Sequence, residues 1–198
     1  MSEVINIAVA GVGGQGIILA SDIIAEAAVR TGREVKKNEV HGMAQRGGSV
    51  VSEIRFGQQV RSPIIPDGEV DVLIALELLE GLRHAHRLRA DGLLVANELR
   101  VSPAVRPPGA PPYPRDVLAR LRKAAANSIT LPAAKLAARA GNVRAANTVL
   151  LGVLSRYVDI PLETWQDALR ACLRPALVEA NLRAFDLGRR RRRAGRKG

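Results

Sequence analysis

The sequence is poor in the residues that thiol chemistry, base stacking and membrane insertion require. Its one cysteine, Cys172, excludes an internal disulfide, a CxxC redox pair and any iron–sulfur cluster held by four thiolates of this chain. The five aromatic residues among 198 leave few side chains for nucleic-acid stacking. No run approaches the roughly 20 apolar residues of a membrane-spanning helix. We therefore expect a soluble cytoplasmic protein that contacts neither membrane nor nucleic acid.

Positive charge is abundant but unevenly distributed. The formal net charge is +11, and seven of the positive charges lie in residues 189–198, which leaves +4 for the rest of the chain. We predict a single domain over residues 1–187 and a basic disordered tail over residues 188–198. A basic nucleic-acid-binding module, the alternative, would instead spread its Lys and Arg side chains over a folded face.

Short apolar runs alternate with helical patterns along the chain. The apolar run at residues 5–10 precedes a glycine cluster and then a helical pattern that begins at Ile17. Further buried strands are predicted at residues 70–76 and 93–96, with a helix at residues 77–89 between them. Alternating strands and helices are typical of α/β proteins with a mostly parallel sheet.

The remaining segments are less regular. A brief second strand is predicted near residues 34–36, followed by a loop over residues 38–48. From Ser49 to Phe56 apolar and polar residues alternate, which predicts a half-buried hairpin strand. Six prolines within residues 103–114 forbid regular structure and indicate a loop or lid. The chain beyond residue 133 has helical patterns only.

The glycine-rich segment at residues 11–16 reads GVGGQG, which satisfies G-x-G-x-x-G between a predicted strand and a predicted helix. Such glycines permit a tight turn, and the free N–H groups at the helix start attract phosphate or carboxylate. An NAD site would also place an acidic residue near the end of the second strand, where Lys36, Lys37 and Asn38 stand instead. An anion or nucleotide-like phosphate and a purely structural turn both stay open as roles for this segment.

The segment at residues 38–48 is rich in polar groups and contributes little to a core, as binding loops do. A solvated surface loop is the alternative interpretation. Glu39 and His41 could form a general-base pair, but nothing in the sequence orients them and no nucleophile is evident. We assign neither a catalytic residue nor a metal ligand.

Several of these motifs occur together in one order. They are NI at residues 6–7, GVGGQGI at 11–17, EVHGMAQRGG at 39–48 followed by SVV, SPIIP at 62–66, DVLIALE at 71–77 and NTVLLG at 147–152. In this order they resemble the gamma-type subunit or domain of 2-oxoacid:ferredoxin oxidoreductases. The HGMAQRGG stretch is similar to the beta subunit of indolepyruvate ferredoxin oxidoreductase.

The resemblance implies a complete enzyme that decarboxylates an indolepyruvate- or arylpyruvate-type 2-oxoacid on thiamine diphosphate with magnesium. Electrons would pass through 4Fe-4S clusters to ferredoxin, and the acyl group to coenzyme A. The chain has one cysteine and no GDG-type thiamine diphosphate motif, so a larger partner subunit would carry these cofactors and the chain would be inactive alone. A free-standing NAD(P)- or flavin-binding oxidoreductase is the alternative.

Pattern and resemblance together predict a Rossmann-like three-layer α/β fold with a mostly parallel sheet, a β-hairpin excursion and a helical C-terminal part. The resemblance also implies which residues face a ligand or the partner. These are Gly11, Gly13, Gly14, Gln15, Gly16, Glu39, His41, Gln45, Arg46, Gly47, Gly48 and Asn147.

Overall fold

The computed structural model describes residues 4–41, 48–101 and 112–191, with the side chain of His41 left out. Gln45, Arg46 and Gly47 lie outside these ranges, as do most of the proline-rich segment and the chain from residue 192 onward. The strands are β1 (Ile5–Val12), β2 (Glu34–His41), β3 (Ser49–Gly57), β4 (Val70–Ala75), β5 (Leu88–Asn97) and β6 (Ser128–Leu131). The helices are α1 (Ile17–Val29), α2 (Leu78–His84), α3 (Val117–Ala124), α4 (Ala133–Arg139), α5 (Ala146–Leu154), α6 (Leu162–Cys172) and α7 (Pro175–Arg189).

The strands form one sheet in the order β2-β3-β1-β4-β5-β6. Strands β1, β4, β5 and β6 are parallel to one another, whereas β3 is antiparallel to both of its neighbours, β1 and β2. The β2–β3 hairpin is thus the excursion, and it inserts β3 between β1 and the edge strand β2. The predicted mostly parallel α/β sheet is confirmed.

Helices cover both faces of the sheet, which completes the three layers. Helices α1 and α4 to α7 pack on one face around a core that includes Ile7, Trp165 and Phe185. Helices α2 and α3 pack on the other face, around Leu73 and Leu121. Among the described residues, no helix combines the length and apolar character needed to cross a membrane.

Strand β2 is longer than the sequence predicts. It runs from Glu34 to His41 and pairs residue for residue with β3, so the predicted loop at residues 38–48 is wrong for residues 38–41. Most of its side chains are partly exposed. Charged and polar residues are common on edge strands because they discourage pairing with other chains. They leave β2 without the apolar alternation by which a strand is predicted from sequence.

Strand β3 is covered on both faces. Val50, Ile54 and Phe56 enter the α1 core, as the alternating pattern predicts. The opposite face is not solvated, because Glu53 is also buried there and forms an ion pair with Arg87. The backbone N–H of Ile65 also donates to Glu53. The segment between β3 and β4 thus covers the face that was expected to meet water.

The helix predicted for residues 77–89 is shorter than expected. Helix α2 ends at His84, a single 3-10 turn follows over Ala85–Arg87, and β5 already begins at Leu88. Strand β5 is therefore longer than the strand predicted at residues 93–96. A register shift between Val70 and Val72 in the β4–β5 pairing accommodates the early start of β5.

Helices α5 and α7 cross with their backbones in direct contact. A Cβ atom on Gly188 would lie 1.9 Å from the carbonyl oxygen of Val149, and one on Gly152 would lie 2.0 Å from that of Phe185. Gly188 is buried, and α7 continues to Arg189. The predicted domain boundary at residue 187 therefore falls inside a packed helix, so Gly188 and Arg189 belong to the fold.

We expect Gly188→Ala to destabilise the chain strongly. The added methyl group meets backbone rather than a movable side chain, and overpacking of this kind costs about 1–3 kcal/mol or more. Thermal unfolding should show a clear drop in Tm, whereas the exposed control Arg190→Ala should unfold like the wild type. Equal stability of the two variants would contradict the close crossing.

Candidate functional site

The candidate site lies at the end of the sheet formed by the carboxyl ends of the parallel strands. Strand β1 ends at Val12, and the remaining residues of the glycine-rich segment, 13–16, form the turn into α1, here called the glycine turn. Because β3 is antiparallel to β1, its first residue, Ser49, pairs with Val12. The backbone N–H of Gly13 donates to the carbonyl oxygen of Gly48 at 3.0 Å. The glycine turn therefore meets the end of the 39–48 motif at the edge where open α/β sheets bind ligands.

The glycine turn has a left-handed backbone at two positions. Gly14 has φ 95° and Gly16 has φ 79°. Gln15 stabilises the turn because its Oε1 accepts from the N–H of Val12 at 2.8 Å. Helix α1 starts at Gly16 without a side-chain cap and without an acidic residue in its first turn. Its positive end thus carries no competing carboxylate of its own, which favours an anion there.

The glycines serve different purposes. A Cβ atom on Gly11 would lie 2.7 Å from Gln15 Oε1 and 3.0 Å from Leu76 Cβ, so this glycine is required by packing within the chain. One on Gly16 would lie 2.7 Å from Asn147 Nδ2. Nothing lies within 4 Å of the corresponding position on Gly14. The structural interpretation therefore accounts for Gly11 and Gly16, whereas Gly14 adjoins open space.

Asn147 holds the turn in place from the C-terminal part of the chain. It is buried in α5, and its Nδ2 donates to the carbonyl oxygen of Gly16 at 3.1 Å. Its Oδ1 accepts from the N–H of Thr148 at 2.8 Å. Both ends of the amide are thus engaged within the protein, so Asn147 supports the turn although it also borders the adjoining cavity.

A cavity of about 870 Å³ adjoins the turn. The sheet edge and the turn form one side of it, and the C-terminal helices with the 3-10 turn Val143–Ala145 form the other. The apolar part of its lining includes Leu19, Leu76, Leu99, Val143, Leu173 and Leu177, and the polar part includes Gln15, Asn97, Asn142, Arg144, Asn147 and Asn181. An open, largely apolar space with a few polar groups is typical of small-molecule sites.

The buried amides of the lining are satisfied within the chain. Asn97 donates to the carbonyl oxygen of Leu76 at 3.3 Å and accepts from the N–H of Ala133 at 3.0 Å. Arg144 differs from them because its side chain is exposed, and no described side chain pairs with its guanidinium. Arg144 was missed from the sequence, where it has no motif of its own.

Glu39 lies apart from this cavity. Glu39 is on the edge strand, where it forms an ion pair with Lys37 at 2.8 Å. Lys37 also pairs with Asp22 of α1. Burial lowers the pKa of Lys37, but the hydrogen bonds to Asp22 and Glu39 outweigh it, so that the pKa is raised. His41 ends β2 opposite Val50. The structure thus brings together the glycine turn, Gly48 and Asn147, but not Glu39.

Glu77 lies beyond the end of β4 but does not line the cavity. It is buried and caps α2 by accepting from the N–H of Glu80 at 2.9 Å. It also accepts from the N–H of Val101 at 3.1 Å and from Tyr113 Oη at 2.5 Å. Burial and the hydrogen bond to Glu77 raise the pKa of Tyr113.

Metal-ligating side chains do not cluster in the part of the chain that the structure describes. Within the described ranges, no group of three or more His, Cys, Asp or Glu side chains could hold a metal ion. Cys172 is partly buried, and this burial raises the pKa of its thiol.

We expect Gly16→Ala to cost more stability than Gly68→Ala. Both glycines have φ 79°, and a left-handed backbone costs an alanine about 1–2 kcal/mol. Only Gly16 has a neighbour, Asn147, where the methyl group would stand, whereas the space at Gly68 is open. Urea unfolding should show the difference, and it should shrink when Gly16→Ala is measured in an Asn147→Ala background. Equal costs at the two glycines would refute the contact.

Comparison with known proteins agrees with this architecture. The family model described as pyruvate ferredoxin/flavodoxin oxidoreductase matches residues 6–191. The chain is 41% identical to the indolepyruvate oxidoreductase subunit IorB of Archaeoglobus fulgidus, over 97% of each chain. It is 37% identical to the subunit of the same name from Thermococcus kodakarensis, over 92% of this chain and 93% of that one.

Solved structures of the same fold include a keto/oxoacid ferredoxin oxidoreductase gamma subunit from Geobacter sulfurreducens. Its TM-score is 0.67 at 25% identity, over 93% of this chain and 95% of that one. The 2-oxoglutarate:ferredoxin oxidoreductase of Magnetococcus marinus, solved with 2-oxoglutarate, coenzyme A and succinyl-CoA bound, has a TM-score of 0.71 at 24% identity. The match covers 94% of this chain but 30% of that longer one. The chain therefore belongs to the pyruvate ferredoxin/flavodoxin oxidoreductase family, in which it resembles the gamma subunits and the indolepyruvate oxidoreductase subunits.

Proposed function

We propose that this chain is the subunit without clusters of an indolepyruvate- or arylpyruvate-type 2-oxoacid ferredoxin oxidoreductase. The complete complex converts the 2-oxoacid and coenzyme A into acyl-coenzyme A and carbon dioxide, and two ferredoxins each accept one electron. Identity of 41% and 37% with two indolepyruvate oxidoreductase subunits, over nearly the whole chain, supports the substrate class.

The cofactors of this reaction belong to a larger partner subunit. A 4Fe-4S cluster held by cysteines needs four thiolates, and this chain has one cysteine. The family match therefore supports a role in assembly with that partner rather than in electron transfer. The complex is cytoplasmic in this proposal, and ferredoxin meets the partner.

The part of the reaction that this chain serves is the binding of coenzyme A. The observation that supports this role is the cavity beside the glycine turn, where Arg144 has no described partner. Coenzyme A carries phosphate groups, which suit a guanidinium and the N–H groups at the start of α1. The methyl and methylene groups of its pantetheine arm suit the leucines of the lining.

A free-standing dinucleotide enzyme is the competing function. Strand β2 carries two acidic residues and both have partners, since Glu34 pairs with Lys36 at 3.3 Å and Glu39 pairs with Lys37 at 2.8 Å. Co-expression with the larger subunit distinguishes a subunit of the complex from a free-standing dinucleotide enzyme. We expect the two chains to co-purify and to reduce ferredoxin with indolepyruvate only when both are present. Turnover by this chain alone, or tight binding of NAD or flavin in a spectroscopic titration, would overturn the proposal.

We expect Arg144→Ala to raise the KM for coenzyme A about tenfold in the complex, which corresponds to about 1.4 kcal/mol, with kcat little changed. Arg144→Lys should recover part of this loss, because it restores the charge but not the planar donor geometry. Arg139→Ala is the control, an exposed arginine of α4. Identical KM values for Arg144→Ala and the control would remove Arg144 from the site.

The motif at residues 39–48 is the second part of the proposed contact surface. We expect Arg46→Ala to weaken assembly with the larger subunit or to raise the KM for coenzyme A, while the Tm of the chain stays unchanged. Titration of the two subunits and steady-state kinetics measure these effects, with the exposed Arg61→Ala as control. Unchanged kinetics and assembly would exclude Arg46 from the contact.

A further inference from the structure

A buried carboxylate of α2 fixes the start of β3. Glu80 is 3% exposed. Ser49 Oγ donates to its Oε2 at 2.5 Å, and Arg83 pairs with its Oε1 at 2.5 Å. Ser49 directly follows Gly48, whose carbonyl oxygen accepts from Gly13. Glu80 therefore holds the place where the end of the 39–48 motif joins the glycine turn.

A second buried carboxylate fixes a different stretch of chain. Glu77 is 1% exposed. It accepts hydrogen bonds from the N–H of Val101 and from Tyr113 Oη, which lie on either side of residues 102–111. No described cation forms a salt bridge with Glu77. A buried carboxylate without such a partner depends on its hydrogen-bond donors, so Glu77 and these two flanks stabilise one another.

The two carboxylates are joined to each other. The backbone N–H of Glu80 donates to Glu77 Oε2 at 2.9 Å. Glu80 therefore links the two groups of contacts, because its carboxylate accepts from Ser49 and its backbone N–H donates to Glu77, which in turn accepts from Tyr113 and Val101. Both carboxylates belong to the first turn of α2 and its cap, so the loss of a donor at one of them destabilises the turn that holds the other.

Helix α2, which carries Glu80 and is capped by Glu77, is closely packed against its neighbours. A Cβ atom on Gly81, between the two anchored segments, would lie 2.9 Å from Ala75 Cβ of β4 and 3.4 Å from Leu121 of α3. The helix is thus seated closely on the sheet and against α3. Its short length and tight seating leave Glu77 and Glu80 little freedom to follow either segment independently.

We propose that Glu77 and Glu80 are positioning residues that couple the start of β3 to the two flanks of residues 102–111. A disturbance at one of these segments is transmitted to the other through the first turn of α2. The inference rests on the proposed function in one respect only, namely that the carboxyl ends of the parallel strands face coenzyme A or the larger subunit. Neither carboxylate is assigned contact with a reacting atom.

A double-mutant cycle in the assembled complex tests the coupling. Ser49→Ala and Tyr113→Phe each remove one hydroxyl group from the network and leave both carboxylates in place. We expect each to raise the KM for coenzyme A three- to tenfold, with kcat within twofold of the wild type. The double variant should have the same KM as the more impaired of the two single variants, rather than a KM raised by the product of the two effects. Ser49→Thr, which keeps the hydroxyl, should retain a near-normal KM.

Hydrogen exchange of the same complexes gives a readout that does not depend on turnover. Ser49→Ala should speed exchange at residues 99–101 and 113–117, and Tyr113→Phe should speed it at residues 48–52. Thr130→Val is the control, because it removes a hydroxyl that donates to the exposed Glu98 at 3.0 Å, and it should change neither region. Multiplicative KM effects together with exchange changes confined to the mutated segment would overturn the coupling. An inactive wild-type complex would instead count against the proposed function, and hydrogen exchange would still decide the coupling.

Discussion

The insertion of an antiparallel strand between β1 and the sheet edge is the constraint on which the site depends. In a fully parallel arrangement, every strand would begin at the opposite edge from the glycine turn. Because β3 runs the other way, its start at Ser49 lies beside the end of β1. This topology, rather than any side chain, places the end of the 39–48 motif within hydrogen-bond distance of Gly13.

The glycine-rich turn combines two roles that a motif match does not separate. Gly11 and Gly16 are explained by contacts within the chain, where a methyl group would meet Gln15 and Leu76 in one case and Asn147 in the other. Gly14 has open space, and the uncapped start of α1 lies next to it. A turn can therefore satisfy G-x-G-x-x-G mostly through packing and still leave one position for an anion.

The features that local patterning determines were predictable from the sequence. The β1–turn–α1 unit and strand β4 follow from short-range periodicity. The length of β2 does not, because its polar residues are stabilised by a ladder with β3 rather than by an apolar face. Arg144 and Glu80 have ordinary surroundings in the sequence, and only the fold places Arg144 at the cavity and Glu80 beside Ser49. The expectation of a larger partner that carries the cofactors comes instead from the family resemblance that the order of the motifs indicates.

The hydrogen bond between Asn147 and Gly16 joins residues that are 131 positions apart. Closing so long a loop carries an entropic cost that only the docked C-terminal helices can offset. During synthesis, which proceeds from the N-terminus, the nascent protein therefore holds the glycine motif long before it holds a finished pocket. A ribosome-bound fragment that stops short of α5 would present the recognisable signature without the architecture that could capture a ligand.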